Sequence, residues 1–253
     1  MPERLKQLAG KVTLVTGAGR GIGKAITLAY AGEGASVSCA ARTSAEIEGT
    51  VAEIESIGGA GLAVQTDVTD VESVRHMLEA TVNTVNRFGG LDILVVNAGG
   101  NLDRSTIEEG DPTDWVATIE LNLLGAYHCV RSAIEHLKRR GAGKIIMIGS
   151  GIGHQGRSGS SAYACSKAGL WMLTRVLAQE LWEYNISVNE LIPGPVVTER
   201  VQLDYAQRDE TVFKIGSEWV KGPEDVAPLA LFLATQPDRG PTAQSFSLMR
   251  RDG

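Results

Sequence analysis

Six short runs of the chain are apolar with little polar interruption: residues 11–16 (KVTLVT), 36–41 (SVSCAA), 61–66 (GLAVQT), 91–97 (LDILVVN), 144–150 (KIIMIGS) and 186–192 (ISVNELI). None alternates cleanly, so both faces of each predicted strand are covered, as in parallel strands sandwiched between helices. Helical periodicity fills the stretches between them, near residues 22–33, 44–57, 70–87, 112–140 and 161–184. Strands alternating with helices build βαβ units, and right-handed crossovers then place helices on both faces of the sheet. The predicted fold class is therefore α/β: a single-domain, Rossmann-type, doubly wound parallel sheet. Phe246 and Leu248 alternate with polar neighbours and permit one more strand near the C-terminal end. Residues 193–222 show no clear strand pattern and are rich in charge. Long connections in compact domains are commonly functional, so residues 196–220 are read as a flap over a site.

Composition narrows the function. Lys and Arg number 24 against 30 Asp and Glu, a net charge of -6, which argues against a nucleic-acid surface or an anionic-membrane surface. No apolar run approaches the ~20 residues of a bilayer span, and residues 1–10 lack the apolar stretch of a signal peptide. Cys39, Cys129 and Cys165 lie far apart without metal spacing. They read as buried free thiols in a reducing compartment, so a cytoplasmic protein without a metal site is expected.

The first strand runs into Thr16-Gly17-Ala18-Gly19-Arg20-Gly21-Ile22-Gly23. A strand, a Gly-rich turn and a helix start make an anion site, since glycines admit close backbone approach and helix N–H groups point at a phosphate. The spacing is Gly-x3-Gly-x-Gly, not the usual G-x-G-x-x-G. The second strand ends at Arg42, where an NAD-binding fold usually has an acid; the nearest carboxylate is Glu46. A guanidinium there suits a 2′-phosphate, and Arg20 could approach the same group. NADP(H) is favoured, with NAD(H) the alternative.

Tyr163 and Lys167 are four residues apart in a helical pattern, which puts both on one helix face. Ser150 ends the fifth predicted strand, and strand C-terminal ends are where open α/β sheets bind ligands. Ser158, Ser160 and Ser161 are rival hydroxyls, better suited to caps or turns.

Together, Thr16-Gly17-x3-Gly21-Ile22-Gly23, Asp67-Val68, Asn97-Ala98-Gly99, Asn122, Ser150, Tyr163-x3-Lys167 and Pro193-Gly194 resemble the short-chain dehydrogenase/reductase family over residues 8 to about 235. Within it, the resemblance is to 3-oxoacyl reductases, which reduce a β-keto thioester to a β-hydroxy thioester. The resemblance implies one domain over residues 1–253, with a mainly cofactor-binding half over 10–100 and a catalytic and substrate half over 101–253. It implies Tyr163 as general acid or base, Ser150 as donor to the substrate oxygen, and Lys167 on the nicotinamide ribose. Asn122 would hold a proton-relay water. Lys167 and an oxidised nicotinamide both favour phenolate, so the Tyr163 pKa is expected to fall from ~10. Asp67 would accept from the adenine amino group with Val68 beside the ring. Asn97, Ala98 and Gly99 would support the adenosine side. Pro193, Gly194 and Val196 would line the nicotinamide, and Thr198 would bind its amide or the pyrophosphate.

The chain departs from the family at Val96, where asparagine is usual, and at its C-terminal end, where Gln244-Ser245-Phe246-Ser247-Leu248-Met249-Arg250-Arg251 replaces Val-Asp-Gly-Gly. That tail reads as solvated. Substrate contacts are expected from Ser150, Tyr163, Ile152, His154, Gln155 and the flap, with Trp219 closing over substrate or anchoring the flap. His154 reads as a polar loop residue. Arg139 and Arg140 could meet an acidic acyl carrier protein, but Glu183-Tyr184-Asn185 stands where those enzymes tend to have arginine. The expected partner is a small carbonyl or alcohol, or an acyl thioester. The resemblance implies that helices 112–140 and 161–184 meet across a two-fold axis in a homotetramer or homodimer; their apolar Leu121, Leu124, Leu170, Trp171 and Leu173 could equally pack on the sheet within one chain. The alternatives are an NAD-dependent alcohol or polyol dehydrogenase, and a non-catalytic NADP-binding sensor or scaffold. The intact Asn122, Ser150, Tyr163 and Lys167 set favours the enzyme.

Overall fold

A computed structural model describes residues 5–84, 89–102, 104–199, 201–202 and 219–249. Its strands are β1 (Val12–Thr16), β2 (Ser36–Ala41), β3 (Ala60–Gln65), β4 (Ile93–Val96), β5 (Gly143–Ile148), β6 (Ile186–Ile192) and β7 (Ser245–Ser247). They form one parallel sheet in the order β3-β2-β1-β4-β5-β6-β7. The chain winds outward from β1 through β2 to β3, then returns to β4 on the other side of β1. A crevice must open at that reversal, outside the C-terminal ends of β1 and β4.

The helices are α1 (Gly21–Gly32), α2 (Ser44–Ser56), α3 (Val71–Asn83), α4 (Pro112–Ile119), α5 (Gly125–Arg140), α6 (Ile152–Gln155), α7 (Ser161–Leu181) and α8 (Ala227–Ala234). On one sheet face Met77, Val130, Leu137, Leu170 and Leu177 from α3, α5 and α7 pack on Leu14, Leu94 and Ile145. On the other, Ile26, Tyr30, Ile47 and Leu233 from α1, α2 and α8 pack on Val15, Val37 and Ile146. The Tyr30 hydroxyl donates to the Ala230 carbonyl (2.8 Å), tying α1 to α8. Helix ends follow local chemistry. Asp70 and Asp111 accept from the amides of Glu72 and Thr113 as N-caps, and Gly141 closes α5 at φ +81°.

Three expectations need correction, and one helix was not foreseen. The helix read over 112–140 is α4 and α5 joined by a π-helical segment, Glu120–Leu124. There the Asn122 amide donates to the Thr118 carbonyl (2.8 Å), a side chain intruding on the backbone ladder. The helix read over 161–184 stops at Leu181 and finishes as a 3-10 turn, with Asn185 left-handed at φ +57°. Helix α8 was hidden because APLALFLA is apolar all round and shows no helical period. Cys165 is exposed, whereas Cys39 and Cys129 are buried, their thiols pushed up to about 12 by burial. The strand permitted at Phe246 exists as β7, paired to β6.

Of the flap read over 196–220, residues 200 and 203–218 lie outside the described residues. Its ends are drawn together: the Val197 amide donates to the Lys221 carbonyl (2.8 Å), and the Lys221 amide to that of Pro195 (3.1 Å). Among the described residues, no helix is long and apolar enough to cross a membrane.

Candidate active site

An open cavity of about 830 Å³ lies at the C-terminal ends of the strands. Its floor at β1 is made by glycines. Gly17 and Gly21 have φ of +67° and +54°, which L side chains rarely adopt. A Cβ on Gly23 would lie 2.1 Å from the Gly17 carbonyl oxygen, so α1 can start this close under the turn only with glycine. A Cβ on Gly19 would strike Glu46 on α2 at 2.7 Å.

Asn97 braces the cradle from β4. Its side-chain amide donates to the carbonyls of Thr16 (2.9 Å) and Gly17 (3.2 Å). In return the Thr16 hydroxyl accepts from the backbone amides of Asn97 and Ala98, both at 3.0 Å. The two strands flanking the topological reversal are thus locked at their tips. Arg20, Ile22, Arg42, Asp67, Val68, Ala98 and Gly99 line this end, while Gly23 lies beneath it. Arg20 pairs with Glu46 at 3.3 Å. Burial acts to raise the Asp67 carboxyl, but hydrogen bonds from Thr69 and the charge of Arg42 hold it below its ordinary value.

The other end is built from side chains. Ser150 lies just past β5 and lines the cavity together with Tyr163. Tyr163, Lys167, Trp171 and Arg175 form one stripe along α7 at four-residue spacing. The Lys167 ammonium lies 5.7 Å from the Tyr163 ring centre and donates to the Ile148 carbonyl (2.8 Å). Burial brings the Lys167 ammonium down to about 8, against an opposing push from Glu190. Tyr163 departs from the expected fall. Burial raises its phenol above the ordinary value, outweighing the lowering effects of Ser150 and of the Arg104 charge. The ring still borders the open cavity, which moderates that rise.

Asn122 sits in the π segment, buried, with its amide committed to backbone. It donates to Gly100 (2.7 Å) and Thr118 (2.8 Å) and accepts from the Gly100 amide (3.1 Å). A Cβ on Gly99 would lie 2.6 Å from the Asn122 oxygen and 3.7 Å from the Lys167 nitrogen, so the three meet there. Ser150, Ile152, Tyr163, Lys167, Pro193, Gly194, Val196 and Thr198 all line the cavity. His154 does not: its ring turns to Glu190. Trp219 is 48% exposed and lies off the cavity lining, 4.7 Å from the Lys221 ammonium. Arg139 and Arg140 are engaged in ion pairs, with Glu135 and with Asp92 (3.0 Å).

Pattern reading missed Arg104, Arg157, Met249 and Glu190. Arg104 and Arg157 join the cavity wall, and the charge of Arg104 acts on Tyr163. Met249 corrects the solvated-tail expectation for the described part of the tail: a Cβ on Gly151 would meet its sulfur and one on Gly194 its Cγ at 3.1 Å, while Arg250 and Arg251 lie outside the described residues. Glu190 had a visible signal, a carboxylate in the middle of an apolar strand.

The family model described as short chain dehydrogenase matches residues 11–209. The chain belongs to the short-chain dehydrogenase/reductase family. It is an oxidoreductase of that nicotinamide-dependent class. A 3-oxoacyl-(acyl-carrier-protein) reductase of Thermotoga maritima is 34% identical over 239 residues, 94% of this chain and 96% of that protein. The short-chain reductase protein NovJ of Streptomyces niveus is also 34% identical, over 90% of this chain and 88% of its own length. The crystal structure of a short-chain type dehydrogenase/reductase from Mycobacterium marinum superposes with a TM-score of 0.85 at 33% identity, covering 96% of this chain and 95% of the other.

The residues present fit a nicotinamide dinucleotide. Glycines keep the cradle free of Cβ atoms at α1, two arginines stand beside it, and the cavity runs on to Ser150 and Tyr163.

Proposed function

We propose that this protein is an NADPH-dependent reductase of an oxo group, acting on a 3-oxoacyl thioester or a ketone of similar shape. The observation that carries this reading is the meeting of Ser150 and Tyr163 on the wall of the cavity that the glycine cradle opens, with the Lys167 ammonium one turn along the same helix face. The bound nicotinamide supplies the hydride. Ser150 donates to the substrate oxygen, where negative charge grows as the carbonyl is reduced. Tyr163 delivers the proton to that oxygen. A phenol held above its ordinary value is protonated at neutral pH and so carries the proton to be donated. Lys167 carries positive charge beside the phenolate left behind and holds the cofactor's ribose. Asn122 acts through the backbone that its amide clamps, keeping residues 99–100 against Lys167 so that a water can be held there.

Arg42 and Arg20 at the cradle support the 2′-phosphate preference. Glu46, which lines the same end and pairs with Arg20, is the one feature favouring NADH instead. The relatives support an acyl thioester through the Thermotoga maritima protein's name, but NovJ is as similar and its name carries no acyl carrier. Exposed Leu124 and Tyr127 on one helix unit, with Met172 and Val176 on α7, support assembly with further copies of the chain. A panel of 3-oxoacyl thioesters, free ketones and polyols, run with NADPH and NADH and followed at the nicotinamide absorbance, tests the reading. Oxidation of NADPH by 3-oxoacyl thioesters is the expected result. Turnover of polyols with NAD alone overturns it.

A further inference from the structure

Glu190 is fully buried on β6, between β5 and β7, and none of the roles above uses it. Its carboxylate accepts from the Ser245 hydroxyl (2.6 Å) and faces the His154 ring nitrogen at 3.0 and 3.2 Å. A carboxylate in a sheet covered on both faces needs a partner, and an apolar residue of similar volume would commonly serve stability as well or better. What the pair touches therefore matters more than the pair itself.

Two contacts link it to the reacting groups. A Cβ on Gly149 would lie 1.9 Å from the Glu190 Oε1, so the carboxylate fills the space beside the residue that precedes Ser150. The preceding carbonyl, that of Ile148, holds the Lys167 ammonium. The segment that carries His154 also packs on that lysine's backbone. Its neighbour Gly153 is pressed on α7 so closely that a Cβ there would lie 2.7 Å from the Lys167 carbonyl carbon. The His154 ring lies 5.0 Å from that of Trp171, one turn beyond Lys167 on the stripe. Ser245, Glu190, His154, α6 and Lys167 thus form one contiguous path from β7 to the active site.

We propose that Glu190 and His154 are a buried positioning pair: they hold residues 148–150 and α6 around Lys167, and the Glu190 carboxylate is the counter-charge that keeps Lys167 an ammonium. The opposing effects of burial and Glu190 on that lysine agree with this geometry. The charged or titratable groups around it are Tyr163 on its own helix, His154 on α6, Glu190 on β6, and Arg104, which acts on Tyr163 from the loop after β4. The proposal rests on Lys167 being part of the catalytic set.

Glu190→Gln keeps the volume and can still bond Ser245 and His154, but removes the charge. His154→Gln loosens the clamp and leaves the carboxylate. For each, and for the double variant, the measurements are the thermal melt, NADPH affinity by fluorescence, kcat across the neutral to alkaline range, and the Lys167 titration by NMR of labelled lysine. In Glu190→Gln both the Lys167 titration and the alkaline limb of kcat should move down by about one pH unit, the low end of a close opposite charge's effect. In either single variant kcat should fall about tenfold or more, with NADPH affinity little changed, as expected for slight misplacement of reacting groups. The double variant should be no worse than the poorer single one, since the two act as a unit. An unmoved Lys167 titration in a folded Glu190→Gln protein overturns the counter-charge. Additive losses in the double variant overturn the pair. A shifted Lys167 titration in a protein that reduces no carbonyl upholds the counter-charge and overturns the proposed function instead.

Discussion

At the cradle, the working surface is backbone. Gly17, Gly21 and Gly23 leave room, and Asn97 and Thr16 lock two strand tips together. At the Tyr163 end, the working surface is side chain: a phenol, a hydroxyl and an ammonium whose properties are set by burial and by charges beneath them. The first end is sensitive to a single added methyl group. The second tolerates conservative volume changes but not a lost proton. A substitution's symptom should therefore report the end it strikes: cofactor affinity and stability for the cradle, turnover for the stripe on α7.

The largest contrast is expected from Tyr163→Phe. It removes one oxygen at the cavity wall, so NADPH should bind as before. Turnover should fall by about 10²–10⁴-fold, the usual worth of a placed acid. Substantial turnover in that variant would break the assignment of the proton donor. Gly23→Ala is the converse. Its Cβ would stand 2.1 Å from the Gly17 oxygen, so the turn must move. A stability loss of about 1–3 kcal/mol is expected, the range for overpacking, together with weakened NADPH binding in a fluorescence titration. An unchanged melt and unchanged affinity would mean that the cradle yields more easily than its contacts suggest.

Arg42→Ala sharpens the comparison within the cradle end. If Arg42 meets a 2′-phosphate, KM for NADPH should rise about tenfold or more and that for NADH should barely move, given ~1.5–3 kcal/mol for a charged hydrogen bond. Equal effects on both cofactors would leave Glu46 and its pairing with Arg20 as the better guide, and point to NADH.

These two ends also differ in how far the sequence discloses them. The cradle is written as local spacing, Gly-x3-Gly-x-Gly at a strand end, because one turn makes it. The Tyr163–Lys167 pair is equally local, one helical turn apart. Glu190, Met249 and Arg104 come from distant stretches and enter the site only when β6, the C-terminal tail and the loop after β4 converge. No periodicity records such a meeting. Asn122 is intermediate: its place was legible, but its commitment to the carbonyls of Gly100 and Thr118 depends on a π segment that a regular 3.6-residue reading passes over. The same holds for α8, whose all-apolar sequence is featureless until packing gives it an inner face.

The smallest effect separates function from stability at a single group. Lys167 is buried, and its ammonium is brought down to about 8 from 10.5. If turnover needs that ammonium, kcat should decline as pH rises through about 8. Stability should move the other way. Above pH 8 the folded chain gives up a proton that the unfolded chain keeps to about 10.5, so the unfolded state binds more protons and unfolding becomes harder. The buried thiols of Cys39 and Cys129 limit this gain. They are pushed up to about 12 from 9.0, so above pH 9 it is the folded state that keeps the extra protons. The stabilising window is therefore about pH 8 to 9, and its size is about 1 kcal/mol, the worth of one proton over one pH interval. Urea unfolding at closely spaced pH values, set beside kcat at the same values, measures both. Stability and kcat declining together from pH 8 would show that the titrating group is not a buried lysine.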